Sequence, residues 1–187
     1  MKMVHIKFKI PKFLNYTINT NKLSYNKVLI HPFAGGYNHD MRELPINHWK
    51  VIVDYLLQNK FQIYLSGSSS DLAKRFYVPK NKNFFDIRGK LTIIELKQLL
   101  ENIYGVISVN TGIMHLASLM NLKLICINGP TREDRWGPIN PKSKCINLSN
   151  DLGGNFLNLG FEYPKNYKYS MHSIRINSLM NTVKEFL

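Results

Sequence analysis

Apolar positions fall into two kinds of run that alternate along this chain. Short, strand-like stretches rich in β-branched and aromatic residues occupy residues 28–31, 61–65, 84–87, 105–109 and 122–127. Stretches of that length bounded by turn residues predict strands buried on both faces. Between them, residues 47–60 carry Trp49, Ile52, Val53, Leu56 and Leu57 at three- and four-residue spacing, and residues 92–103 carry Ile93, Leu96, Leu99, Leu100 and Ile103. That period lays an apolar stripe along one side of a helix. Thr92 with Glu95 three positions on predicts a capping box at the start of the second helix. Shorter helices are expected at 70–77 and 113–120. A terminal helix is expected at 176–187, through Leu179, Met180, Val183 and Leu187.

Strands alternating with helices predict an α/β fold with a doubly wound, mostly parallel sheet. Residues 1–26 have no clear period and read as a leading linker or partial element. Residues 27–187 read as one Rossmann-like domain with a C-terminal helix. Within it, residues 149–173 are turn-rich and aromatic, and are expected to form a surface excursion.

Composition narrows the class without naming the function. The chain has 187 residues, enough for one domain, with 44% hydrophobic and 20% charged residues. No apolar run approaches the roughly 20 residues that span a bilayer. Lys interrupts the apolar residues at the start of the sequence, so a secretion signal is not expected there. Cys126 and Cys145 are isolated, and Cys126 lies in a strand-like run, which fits a core residue of a reduced, cytoplasmic protein. The net charge of +13 favours anionic partners. The cations are scattered and no nucleic-acid motif accompanies them, so nucleic acid is not the expected partner. No metal-ligand spacing is present, and no metal or cofactor is expected.

The chemistry gathers at the ends of the strands, where open parallel sheets bind ligands. One strand ends in His31-Pro32-Phe33-Ala34-Gly35-Gly36, another in Ser66-Gly67-Ser68-Ser69-Ser70-Asp71. Two more end in Asn110-Thr111-Gly112 and Asn128-Gly129-Pro130-Thr131. A helix start after Thr111 offers unpaired N–H groups and a positive dipole end, which suits a phosphate or diphosphate. Gly112 has no side chain to block such a group, and Thr111 can add a hydroxyl donor. An ordinary helix cap would give the same local pattern, and the convergence of four such loops is what raises it.

This ordered set resembles the donor-binding half of the ADP-heptose:lipopolysaccharide heptosyltransferase family, glycosyltransferase family 9. Residues 28–36 are similar to its strand and His-Pro-Gly-Ala-like loop, and Arg42-Glu43-Leu44-Pro45 to its Lys-x-Trp-Pro. Residues 64–67 are similar to its strand ending in glycine. Asn110-Thr111-Gly112-Ile113-Met114-His115-Leu116-Ala117 resembles Asp-Thr-Gly-Pro-Met-His-Leu-Ala, and Asn128-Gly129-Pro130-Thr131 resembles Phe-Gly-Pro-Thr. The likeness covers about residues 28–187.

The resemblance implies the Rossmann-like half of a two-domain GT-B enzyme. It binds a nucleotide diphosphate sugar, ADP-heptose or similar, for lipopolysaccharide core or surface-glycan synthesis. Arg42, Asn110, Thr111, Gly112, Gly35 and Gly36 are the expected donor and phosphate contacts. Ser69, Asp71, His115 and Thr131 are candidate ribose or sugar contacts. The catalytic base belongs to the family's N-terminal, acceptor-binding half, so it is expected outside this chain. That half would be a separate partner, the acceptor a glycolipid, and the basic surface a peripheral contact with the inner membrane face. Three departures stand out: Asn110 for the family aspartate, Arg42 for lysine, and Phe33 for a loop glycine, where it would crowd the sugar. A non-catalytic nucleotide-binding module and a basic nucleic-acid-binding domain are the alternatives.

Overall fold

The structure is a computed structural model that describes residues 24–36, 39–148 and 171–187. Most of the expected leading segment and of the turn-rich excursion lies outside these residues. Six strands form one parallel sheet: β1 (Ser24–His31), β2 (Gln62–Leu65), β3 (Phe84–Asp86), β4 (Ile103–Val109), β5 (Lys123–Gly129) and β6 (Ser143–Asn147). Their order in the sheet is β3-β2-β1-β4-β5-β6. Chain connectivity therefore reverses between β1 and β4, the switch point of a doubly wound sheet.

Alternation along the strands supplies both faces of the core. Val28 and Ile30 of β1, Ile107 and Val109 of β4, and Ile125 and Ile127 of β5 pack on one face. Helices α1 (Ile46–Gln58) and α5 (Ile176–Phe186) cover it, and α1 buries Trp49, Ile52, Val53 and Leu56 there. Each such fully buried side chain contributes about 2 kcal/mol. Leu29, Val106, Leu124 and Cys126 point to the other face, under α2 (Ile93–Leu100) and α3 (Gly112–Leu119). The two-sided burial explains why the central parts of these strands read as mostly apolar runs.

Local chemistry sets the helix boundaries. Thr92 and Glu95 form the expected capping box, with the Thr92 hydroxyl accepting from the Glu95 N–H at 3.3 Å. Helix α1 ends where Lys60 takes a φ of 64° and α3 where Asn121 takes 55°, left-handed positions that stop a helix. The helix expected at 70–77 is shorter and tighter, a 3₁₀ turn over Ser69–Ala73. Asp71 folds back to accept the Ser68 N–H, which favours the turn over a longer helix. Strand β6 and the short α4 (Glu133–Trp136) were not expected from the sequence. The C-terminal segment returns over the sheet through Met171, whose Sδ lies 2.3 Å from where a Cβ on Gly129 would sit. With φ at +62°, that position accepts glycine alone without rearrangement.

Candidate functional site

A cleft of about 690 Å³ opens at the carboxyl ends of β1, β2 and β4, over the switch point. One side is polar and built from backbone and small side chains: Gly35 and Gly36 after β1, the Ser66–Ser70 turn after β2, and Thr111 and Gly112 after β4. The other side is apolar, formed by Ile87, Leu91, Ile93, Leu96 and Ile113. A cleft with a flat apolar wall and a row of hydrogen-bond donors suits a ligand that is aromatic at one end and anionic at the other.

The start of α3 presents an uncapped helix N-terminus to the cleft. Thr111 is extended at φ −152° and its side chain does not cap the helix; Oγ1 lies 3.4 Å from the Ser108 hydroxyl instead. The first-turn N–H groups are therefore left for solvent or ligand at the positive end of the helix dipole. A Cβ built on Gly112 meets nothing within 4 Å, and the same holds at Gly35. Both glycines thus border open space. Gly36 alone of the three has a left-handed φ, +82°, and needs glycine for its conformation.

Behind the glycine loop lies a charged lattice that the sequence did not reveal. Lys74 Nζ is 2.6 Å from Glu43 Oε1, 3.2 Å from Asp71 Oδ1 and 3.2 Å from the Ala34 carbonyl. Glu43 Oε1 also accepts the Ala34 N–H at 2.8 Å. Asp71 Oδ2 accepts from the Ser68 N–H at 2.8 Å and the Ser68 hydroxyl at 2.6 Å. Burial works against the Asp71 carboxylate, but these donors and the Lys74 ammonium hold its carboxyl below the usual range. Burial likewise opposes the Lys74 charge, and the two carboxylates outweigh it and raise its pKa. Beneath them Arg88, 7% exposed, pairs with Asp86 at 2.7 Å and donates to the carbonyls of Asp71 and Lys74.

His31 closes β1 in the lining of the cleft and bonds the Ser66 hydroxyl at 2.9 Å, which ties the loops after β1 and β2 together. Burial lowers its pKa to about 4, with Asp71 raising and Lys74 lowering it to lesser degrees. The imidazole is neutral at physiological pH. Phe33, expected to crowd the sugar, is one of the residues lining the cleft. Its ring is 4% exposed, edge-on to Phe76 at 5.8 Å, with Lys74 and Arg88 5.5 and 5.6 Å from its centroid.

Several expected contacts sit elsewhere. Arg42 does not line the cleft; its Nη2 donates to the Gly35 carbonyl, so it touches the site through the glycine loop. The Asn110 side chain does not line the cleft either. Its Nδ2 donates to Asn128 Oδ1 at 2.5 Å and to the Trp136 carbonyl at 2.9 Å. Asn128 continues the network to the Thr131 carbonyl and to Asn147, which reaches Glu133. The ends of β4, β5 and β6 are neighbours in the sheet, so their amides satisfy one another. Thr131 is buried there, and Glu133 and Asp134 face a separate shallow depression with Arg132. Ser69 is exposed and outside the lining, whereas Ser68 and Ser70 are in it. His115 is half-buried along α3, where burial lowers its pKa, and it is also outside the lining.

The fold and cleft define a Rossmann-like α/β domain of the kind found in GT-B glycosyltransferases. Residues 9–156 match the family model for glycosyltransferase family 9 (heptosyltransferase), and the chain belongs to that family. Lipooligosaccharide heptosyltransferase 2 of Haemophilus influenzae is 27% identical over 110 residues, 56% of this chain and 32% of its own length. Lipopolysaccharide heptosyltransferase 2 of Escherichia coli is 21% identical over 140 residues, 72% of this chain and 40% of its own length. The chain therefore spans less than half the length of these curated relatives. Among solved structures, E. coli ADP-heptose lipopolysaccharide heptosyltransferase II superposes with a TM-score of 0.65 at 18% identity, covering 96% of this chain and 53% of that one. E. coli heptosyltransferase WaaC with ADP gives 0.62 at 17% identity, covering 94% and 47%.

Proposed function

We propose that this chain binds the nucleotide diphosphate of an activated sugar, an ADP-heptose or a close analogue, as the donor-binding half of a lipopolysaccharide or surface-glycan glycosyltransferase. The observation that carries the reading is the open space at Gly112. In this family-9 chain, an uncapped helix start borders a cleft at the sheet's switch point. Two structures of WaaC, one with ADP and one with ADP-2-deoxy-2-fluoro heptose, support the same ligand class.

In this reading the diphosphate lies at Thr111 and Gly112, and the base rests on the wall of Leu91, Ile93 and Ile113. Asp71 accepts from the ribose. Arg42 acts through the Gly35 carbonyl and adds positive potential beside the leaving diphosphate, where charge develops in the transition state. The base that deprotonates the acceptor comes from outside these residues. Asp71 is the one carboxylate among the described lining residues, and its donors make it a poor proton acceptor at neutral pH. The net charge of +13 favours approach to an anionic glycolipid surface.

The test is a calorimetric titration with ADP, ADP-sugar and AMP. A diphosphate cradle binds ADP at least about tenfold more tightly than AMP, the scale of one charge-assisted contact. Equal affinity for ADP and AMP removes the cradle.

A further inference from the structure

Lys74 lines the cleft, yet its hydrogen-bonding capacity is turned inward. An ammonium has three N–H donors. Three protein acceptors surround this one: Glu43 Oε1, Asp71 Oδ1 and the Ala34 carbonyl. Two donors are taken by hydrogen bonds to Glu43 and Ala34 and the charge also pairs with Asp71, so the cation is turned toward the protein and poorly suited to clamp a phosphate. What it does is join three pieces of chain. Ala34 belongs to the glycine loop after β1, Glu43 stands ahead of α1, and Asp71 sits in the turn after β2.

The lattice fixes both sides of the polar wall. Ala34 is held at its carbonyl by Lys74 and at its N–H by Glu43, so the glycine loop cannot shift without breaking both bonds. Asp71 Oδ2 is filled by two donors from Ser68, while among the described residues Oδ1 has Lys74 alone. A carboxylate oxygen accepts about two hydrogen bonds. One acceptor position therefore remains on Oδ1, on a carboxylate whose orientation Ser68 and Lys74 set together. Arg88 secures the same turn from below through the carbonyls of Asp71 and Lys74.

We infer that Lys74 is a positioning residue: it holds Asp71 as an ionised, pre-oriented acceptor for a ribose hydroxyl and locks the glycine loop beside it. The ribose part rests on the nucleotide reading above, whereas the locking of the loop does not. Lys74 acts through Asp71 and Ala34 and does not itself contact the ligand.

Two measurements on the full chain test this and separate it from the nucleotide reading. The first is amide hydrogen exchange in the wild type, Lys74→Met and Glu43→Gln, the last keeping the shape of the cage while removing one charge. Exchange at the Ala34 and Ser68 amides should quicken at least about tenfold in Lys74→Met and less in Glu43→Gln, with the buried amide of Ile107 unchanged. The second is the affinity for ADP against 2′,3′-dideoxy-ADP. The wild type should prefer ADP by at least about tenfold, and Lys74→Met should bring that ratio close to one. A merely structural contact would weaken both nucleotides alike and leave the ratio unmoved. Unchanged exchange at Ala34 and Ser68 overturns the positioning role, and so does an unchanged ratio. Quickened exchange in a chain that binds no ADP upholds the lock and rejects the nucleotide reading instead.

Discussion

Arg42 donates from Nη2 to the carbonyl oxygen of Gly35, and among the described residues no acceptor meets its buried Nε. The guanidinium thus braces the glycine loop while keeping donors in reserve. A planar fork can do both, whereas a lysine ammonium is a point charge. Arg42→Lys and Arg42→Ala should therefore each weaken ADP binding by about tenfold. Isothermal titration checks this, and a lysine variant with wild-type affinity would make charge, not the fork, the operative property.

Gly112 gives a cleaner test of ligand contact. Its backbone is not left-handed and its Cβ direction is empty, so a larger side chain enters free space. Gly112→Val should keep the wild-type melting temperature to within a few degrees, since valine replaces the poorer helix former. It should lose ADP affinity by more than about tenfold, because the branched side chain fills the approach to the helix N-terminus. Thermal unfolding and titration on the same sample separate the two effects, and retained affinity would reduce this loop to an ordinary helix start.

The buried neutral His31 makes stability depend on pH with a defined sign. Its folded pKa of about 4 lies below the ordinary 6.5, so the unfolded chain binds the proton more readily. The stabilisation is fully present above pH 6.5 and is lost as pH falls toward 4, by about 3 kcal/mol in all. His115, lowered by burial, adds a slope of the same sign. Asp71 and Asp86, both held below the usual carboxylate range, act only at lower pH. Urea unfolding between pH 4.5 and 7.5 should show this loss, and His31→Gln should remove most of it. A wild-type slope retained in that variant would place the titration elsewhere.

Transfer chemistry is expected to need more than these residues. The purified 187-residue chain, given ADP-sugar and a lipopolysaccharide core acceptor, should bind donor with negligible turnover, and a separate acceptor-binding half should restore it. Robust transfer by this chain alone would overturn this reading and force a search for the base, beginning with Asp71, Glu133 and Asp134.

The strands that carry the cleft were legible because their central residues, such as 28–30 and 105–107, are mostly apolar and buried on both faces of the sheet. Strand β6 was not: Ser143-Lys144-Cys145-Ile146-Asn147 lies at the sheet edge, half-buried, with no unbroken apolar run to mark it. The helix start at Thr111-Gly112 was legible because a strand, a tight turn and a helix N-terminus make a local motif. The lattice around Lys74 was not, since its partners Glu43 and Ala34 lie 31 and 40 positions away and meet only through the sheet. Asn110 misled for the complementary reason. Its neighbours in sequence are site residues, but its side chain answers to Asn128 on the adjacent strand.

The most direct test of the account is to map the ligand onto the backbone. Amide chemical shifts of the labelled chain, followed through an ADP titration, should move most at Thr111, Gly112 and Ile113, then at Gly35 and Gly36 and along the wall of Leu91 and Ile93. AMP should leave the Thr111–Ile113 amides less perturbed than ADP does. Shifts confined to the notch at Lys80 and Asn81 or to the depression at Arg132 and Asn147, or no saturable shifts at all, would contradict a nucleotide diphosphate site at the start of α3.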